Sequence, residues 1–274
     1  AAYAVKVILE ARAGQISDEL WWDLALWRVT HVHELLLVPP SSVAGAAWLA
    51  GVVAVGCVAL RPERALAAWL PAAAAAVLTF LGPACVSGTY YVFYRYAVFL
   101  PPTLLAGFRG EGTPDRLRAA RLAVAALSLV WLSYLCVRFA EFEREAKPFG
   151  AVLAQAEPGR KLLPLIFDPT SRILPGFPYL HFGACYEAEK GGEAGFSFLQ
   201  LGRALLRYRP GQTRAADEAL AWDANRFSWA RYGGYDYYLV RAPRDLGPQL
   251  FRGANARIAL EAHAGDWWLY RPVR

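Results

Sequence analysis

The feature that most constrains this chain is a series of four apolar segments in its first half. Val43–Leu60 and Ala65–Leu81 carry no charge, Tyr90–Phe108 carries only Arg95, and Leu122–Val137 lies between Arg121 and Arg138. About 20 apolar residues in a helix cross the ~30 Å hydrocarbon core of a bilayer. The pattern therefore predicts about four transmembrane helices over 43–138. Composition agrees: 56% of residues are hydrophobic and 19% charged, against about 25% charged in soluble domains. The apolar excess ends near Phe139. From there strand and helix patterns alternate, which predicts a small α/β domain over 139–274. The expected fold class is thus an α-helical integral membrane region followed by a small α/β periplasmic domain.

The short loops give a direction. Arg61-Pro62-Glu63-Arg64 and the stretch Phe108–Arg121 are basic, whereas Gly82–Thr89 has no Lys or Arg. Basic loops stay in the cytoplasm. Gly82–Thr89, the N-terminal segment and the α/β domain are then expected outside, in the periplasm of a bacterial cell, although Arg138 pulls the other way. Residues 139–274 hold 18 Lys/Arg and 15 Asp/Glu, a difference of +3, and the rest of the net charge of +6 comes largely from these arginines. A basic stripe interleaved with aromatics is missing, so nucleic acid is not expected as a partner.

Residues 1–42 are expected to form an outer juxtamembrane segment. Ser17, followed by Asp18 and Glu19, suits a helix start. The Trp-rich stretch Leu20–Arg28 then predicts an amphipathic helix over Ser17–Leu37 at the membrane surface, ended by Pro39-Pro40. His31, His33 and Glu34 are metal-ligand types. On a helix, however, positions i and i+2 point about 200° apart, so no metal is predicted. His33 and Glu34 remain candidates for lining a cleft. The chain begins Ala1-Ala2-Tyr3 and contains no Met, which leads us to expect a preceding part. Its four cysteines, Cys57, Cys85, Cys136 and Cys185, form no C-x-x-C pair, so neither a zinc nor a redox motif is present and no cofactor is implied. Cys85 and Cys185 fall outside the expected spans, and the sequence leaves a bond between them open.

The most informative stretch is Tyr90-Tyr91-Val92-Phe93-Tyr94-Arg95-Tyr96-Ala97-Val98-Phe99-Leu100-Pro101-Pro102. An arginine inside a lipid-facing helix is costly and must snorkel or face the bundle interior. Arg95, with Tyr94 beside it, suits either an interface anchor or a guanidinium fork that binds a lipid phosphate. Pro101-Pro102 should kink the helix.

Arg95-Tyr96-Ala97-Val98-Phe99-Leu100-Pro101-Pro102 resembles the Arg-Tyr-x-x-x-x-Pro-Pro helix late in the membrane domain of GT-C-type glycosyltransferases, a family that includes protein mannosyltransferase and aminoarabinose transferase relatives. The resemblance implies a multi-span protein that transfers a sugar from a polyprenyl phosphate and ends in a periplasmic α/β domain. It implies that Arg95 contacts the donor lipid phosphate, with membrane lipid and a polyprenyl-phosphate-linked sugar as partners. The family's catalytic Asp or Glu, in its first outer loop, has no recognisable match here. The resemblance therefore places the catalytic residue before Ala1, or makes the chain a non-catalytic relative.

In the α/β region, Lys161–Phe167 and Tyr235–Val240 read as strands, Glu141–Gln155 and Pro178–Ala188 as helices, and 256–262 with 266–270 as a hairpin through Gly265. Sheets of this kind place ligands beyond the C-terminal ends of their strands. That singles out Asp168, with His181 downstream, as a candidate acid/base pair. There is no Gly-rich phosphate loop and no nucleophile elbow. Two functions remain: a membrane glycosyltransferase acting at the periplasmic face, or a non-catalytic membrane-anchored domain for envelope assembly or binding.

Overall fold

The computed structural model describes residues 20–22, 26–30, 42–86, 89–90, 92–110, 112–196, 218–254 and 257–273. The chain divides into two compact units, Ala1–Cys136 and Val137–Arg274.

The four expected membrane spans are not what forms. Among the described residues one helix, α5 (Pro114–Leu153, 40 residues), is long and apolar enough to cross a membrane. The first segment forms helix α1 (Ser42–Ala59), which stops where strand β2 (Leu60–Pro62) pairs antiparallel with β5 (Phe108–Gly110). The second opens with a 3₁₀ turn, Leu66–Trp69, and continues as α2 (Leu70–Phe80, 11 residues). At 1.5 Å per residue, 11 residues rise only about 16 Å, roughly half of a bilayer core. The third is broken into β4 (Thr89–Tyr90), α3 (Tyr94–Ala97) and α4 (Leu100–Ala106). Pro101 and Pro102 occupy the first turn of α4, where their missing N–H groups cost no helical bond. Hydropathy counts apolar residues and does not register the starts and stops between them.

In the first unit several indole and guanidinium groups donate to backbone carbonyls. Trp48 Nε1 donates to the Leu127 carbonyl at 3.0 Å, and its ring lies 5.7 Å from that of Trp131. Leu20–Trp21, inside the predicted amphipathic helix, is instead a short strand, β1, paired with β3 (Cys85–Val86); Trp27–Thr30 is a helical turn. Residues 17–19, 23–25 and 31–37 lie outside the described residues.

The second unit is a three-layer α/β arrangement. Its sheet runs β7-β6-β8-β10-β9, built from β6 (Lys161–Ile166), β7 (Glu193–Ala194), β8 (Tyr237–Arg241), β9 (Ile258–Ala264) and β10 (Trp267–Pro272). β6 is parallel to β7 and β8, while β10 is antiparallel to β8 and β9. β9 and β10 form the expected hairpin, with Gly265 at φ +57°. Every residue of β8 is buried, so it lacks polar alternation and reads as a strand covered on both faces.

One face packs the end of α5 and helix α6 (Gly183–Lys190) through Phe149, Val152, Leu153 and Tyr186 onto Leu162, Leu239 and Leu269. The other face buries Leu163, Leu165, Tyr238 and Val240 under Leu220, Tyr232 and Tyr235. Pro164 lies beyond the two residues of β6 that pair with β7, so its missing N–H leaves that short ladder intact. A Cβ on Gly183 would stand 2.6 Å from Pro164 Cγ, so α6 reaches the sheet only because this residue has no side chain.

Candidate functional site

β6 and β8 run parallel, so both deliver their last residues to the same edge. β6 leads into Asp168 and β8 ends on Arg241. The Arg241 side chain is 5% exposed. Its Nη1 donates to the Asp168 backbone carbonyl and lies 3.0 Å from the Asp168 carboxylate. Its guanidinium sits 3.9 Å from the centre of the Tyr179 ring, with Trp267 at 5.7 Å, a cation–π arrangement. Thr170 donates its N–H and hydroxyl to Asp168 Oδ1, at 3.0 and 2.6 Å. Nearby, Glu145 of α5 accepts from Ser171 Oγ at 2.9 Å. Together these bonds fold the loop 167–182 back over the edge.

Partial burial by itself raises the Asp168 pKa, but the Thr170 hydrogen bonds and the Arg241 charge together outweigh it and hold the carboxyl below its usual range. The Tyr179 hydroxyl is pushed up to about 12, first by burial and then by the Glu145 charge. Asp168 is therefore a fixed anion and Tyr179 a neutral phenol at neutral pH. His181 takes another place: its ring meets Trp222 edge-on at 5.4 Å, and burial of its inner side lowers its pKa. The expected acid/base pair is thus engaged by separate partners, Asp168 by Arg241 and Thr170, and His181 by Trp222. Arg241 was missed in the sequence. The signal was there, a charge closing an otherwise apolar buried strand.

A cavity of about 500 Å³ opens at the other end of the sheet, lined by Glu157, Arg160, Gly233, Gly234, Asp236 and Arg271 among others. Glu157 holds both arginines, with Arg160 Nη2 at 2.9 Å and Arg271 Nη1 at 3.8 Å. Its mixture of donors and acceptors suits a polar, uncharged ligand.

In the first unit Arg95 is exposed on α3. Among the described residues it makes no ion pair, and the Tyr94 ring packs on Phe93 at 4.9 Å. This region also holds an arginine the sequence did not single out, Arg28. Arg28 is 1% exposed. It lies 3.7 Å over the Phe93 ring and donates to the Gly82 carbonyl at 2.8 Å. It thereby places positive charge at the carbonyl end of α2, where the helix dipole favours it. His33 and Glu34 lie outside the described residues. Cys85 and Cys185 are both free thiols, and no group of metal-ligand side chains occurs among the described residues.

No protein-family model, curated protein or solved structure matches this chain.

Proposed function

We propose that this chain is the carboxy-terminal part of a GT-C-like glycosyltransferase, which transfers a sugar from a polyprenyl-phosphate donor at the outer face of a bacterial cell membrane. The observation that carries the reading is Arg95: an exposed guanidinium without an ion pair among the described residues, set among Tyr94 and Tyr96 just before the Pro101-Pro102 helix. Such a group offers two parallel N–H donors to a phosphate. In this role it steadies the phosphate that departs when an acceptor hydroxyl attacks the anomeric carbon. In this reading helix α5 is the segment that crosses the membrane. The test is binding of a fluorescent polyprenyl phosphate by the full-length protein. Arg95→Ala is expected to weaken binding at least tenfold, about 1.4 kcal/mol, with Arg95→Lys recovering only part. Unchanged binding by Arg95→Ala overturns the role.

The second reading is a non-catalytic, membrane-anchored domain that binds envelope saccharide. The cavity around Glu157 and Asp236 favours it, since paired carboxylates and arginines suit hydroxyl-rich ligands. Saccharide binding that is abolished by Glu157→Ala, in a protein indifferent to polyprenyl phosphate, would select it.

A further inference from the structure

We infer that the loop Ile173–Pro178 inserts into the outer lipid interface and seats the Asp168–Arg241 edge of the sheet at headgroup level; this rests on the reading that α5 crosses the membrane. The apolar surface of α5 is uncovered: Val137 is 57% and Phe139 56% exposed, and only 6% of its most apolar window is buried. The charges that follow, Arg138, Glu141, Glu143, Arg144, Glu145 and Lys147, mark where the helix leaves hydrocarbon.

The loop is fastened to this boundary at two heights. Ser171 Oγ and Arg172 N both donate to the Glu145 carboxylate, at 2.9 and 3.3 Å. Two residues later, Arg138 Nη2 donates to the Ile173 carbonyl at 2.8 Å. Glu145 and Arg138 are seven residues apart, about 10 Å along a helix. The chain thus runs down α5 toward its apolar end as it passes from Ser171 to Ile173. The residues that come next, Ile173-Leu174-Pro175-Gly176-Phe177-Pro178-Tyr179-Leu180, carry no charge. Gly176 turns the chain at φ +76°, Phe177 is 63% exposed, and Tyr179 returns to the buried face of Arg241.

An uncharged tip with a bare Phe, bound to the residue that ends an uncovered apolar helix, fits one occupant, the boundary between headgroups and acyl chains. Aromatic and apolar side chains are favoured there. Arg172, exposed beside the tip, suits the phosphates of the same layer.

The test uses the full chain in nanodiscs of phosphatidylethanolamine and phosphatidylglycerol. Nitroxide labels are placed at Phe177→Cys, Val130→Cys and Arg252→Cys in a background lacking the four native cysteines. Collision with oxygen and with a water-soluble nickel chelate is then measured. Labels at 130 and 177 are expected to favour oxygen, and the label at 252 to favour the chelate. A label at 177 that behaves like the one at 252, or that is shielded from both reagents by protein, overturns the inference while 130 still reports lipid. If 130 also favours the chelate, the membrane reading itself falls. A lipid-soluble diazirine on the unmodified chain provides an independent readout. Labelling of the peptide 173–180 together with 122–137 supports the insertion, and labelling of 122–137 alone refutes it.

Discussion

Replacing Asp168 with asparagine tests whether the edge cluster is held by charge. Removing one partner of a buried ion pair costs about 3–5 kcal/mol. Here the Asp168 half is 36% exposed, so solvent already screens part of the attraction. Arg241 also keeps its bond to the Asp168 carbonyl and its seat on Tyr179. Asparagine retains an oxygen for Thr170. The expected loss is therefore smaller, about 1–2 kcal/mol, or roughly 3–8 °C in the melting temperature of the α/β unit. The assay is thermal unfolding of the full chain in detergent, followed by tryptophan fluorescence. Acid should reveal the same interaction. The folded pKa of Asp168 lies below its ordinary value of 3.8, so the stabilisation is complete above that value and is lost as pH falls through the folded one. Asp168→Asn should lack this component. Arg241→Met places an apolar chain against Tyr179 and Trp267, and once it is present Asp168→Asn should cost almost nothing further. An Asp168→Asn variant that melts with the parent from pH 3 to 7, or two substitutions whose effects simply add, would show that charge does not hold this edge.

Other substitutions probe separate contacts. Gly183→Ala drives a methyl into Pro164 and should cost about 1–3 kcal/mol in denaturant unfolding; a neutral result would mean that α6 shifts freely on the sheet. Tyr270→Phe removes the hydroxyl bond to Asp245, which keeps its bond to the Gly247 N–H at 2.7 Å, and should cost about 1 kcal/mol in the same assay. Burial lowers the His181 pKa from 6.5, so stability should decline as pH drops through 6.5 toward the folded value and level off below it; His181→Gln should flatten that slope in pH-dependent melts. Arg28→Ala should lower the proteolytic resistance of residues 70–97, because it removes a buried cation from the Gly82 carbonyl and the Phe93 ring, and Arg28→Lys, without the planar fork, should not restore it.

The α/β unit was largely legible in the sequence. Lys161–Ile166 and Tyr237–Arg241 sit where apolar runs predicted strands, because a strand covered on both faces must be continuously apolar. The Gly265 hairpin was equally plain, since a turn with positive φ calls for glycine. The membrane half was misread: hydropathy records how apolar a segment is, but not whether a turn or a strand pair cuts it short, as β2 and the 3₁₀ turn do here.

The edge cluster needed the tertiary structure. Asp168 could be named from the rule about strand ends, yet Arg241 lies 73 residues away and only parallel pairing of β6 with β8 brings the two together. Tyr179 and Trp267 belong to different elements and meet only around that guanidinium. The descent of Ser171–Ile173 along α5 was likewise invisible in one dimension. Periodicity and turn chemistry are local, so a single sequence carries them in full. Which distant charge lies beneath which ring is set by strand order and register, and those exist only in the folded chain.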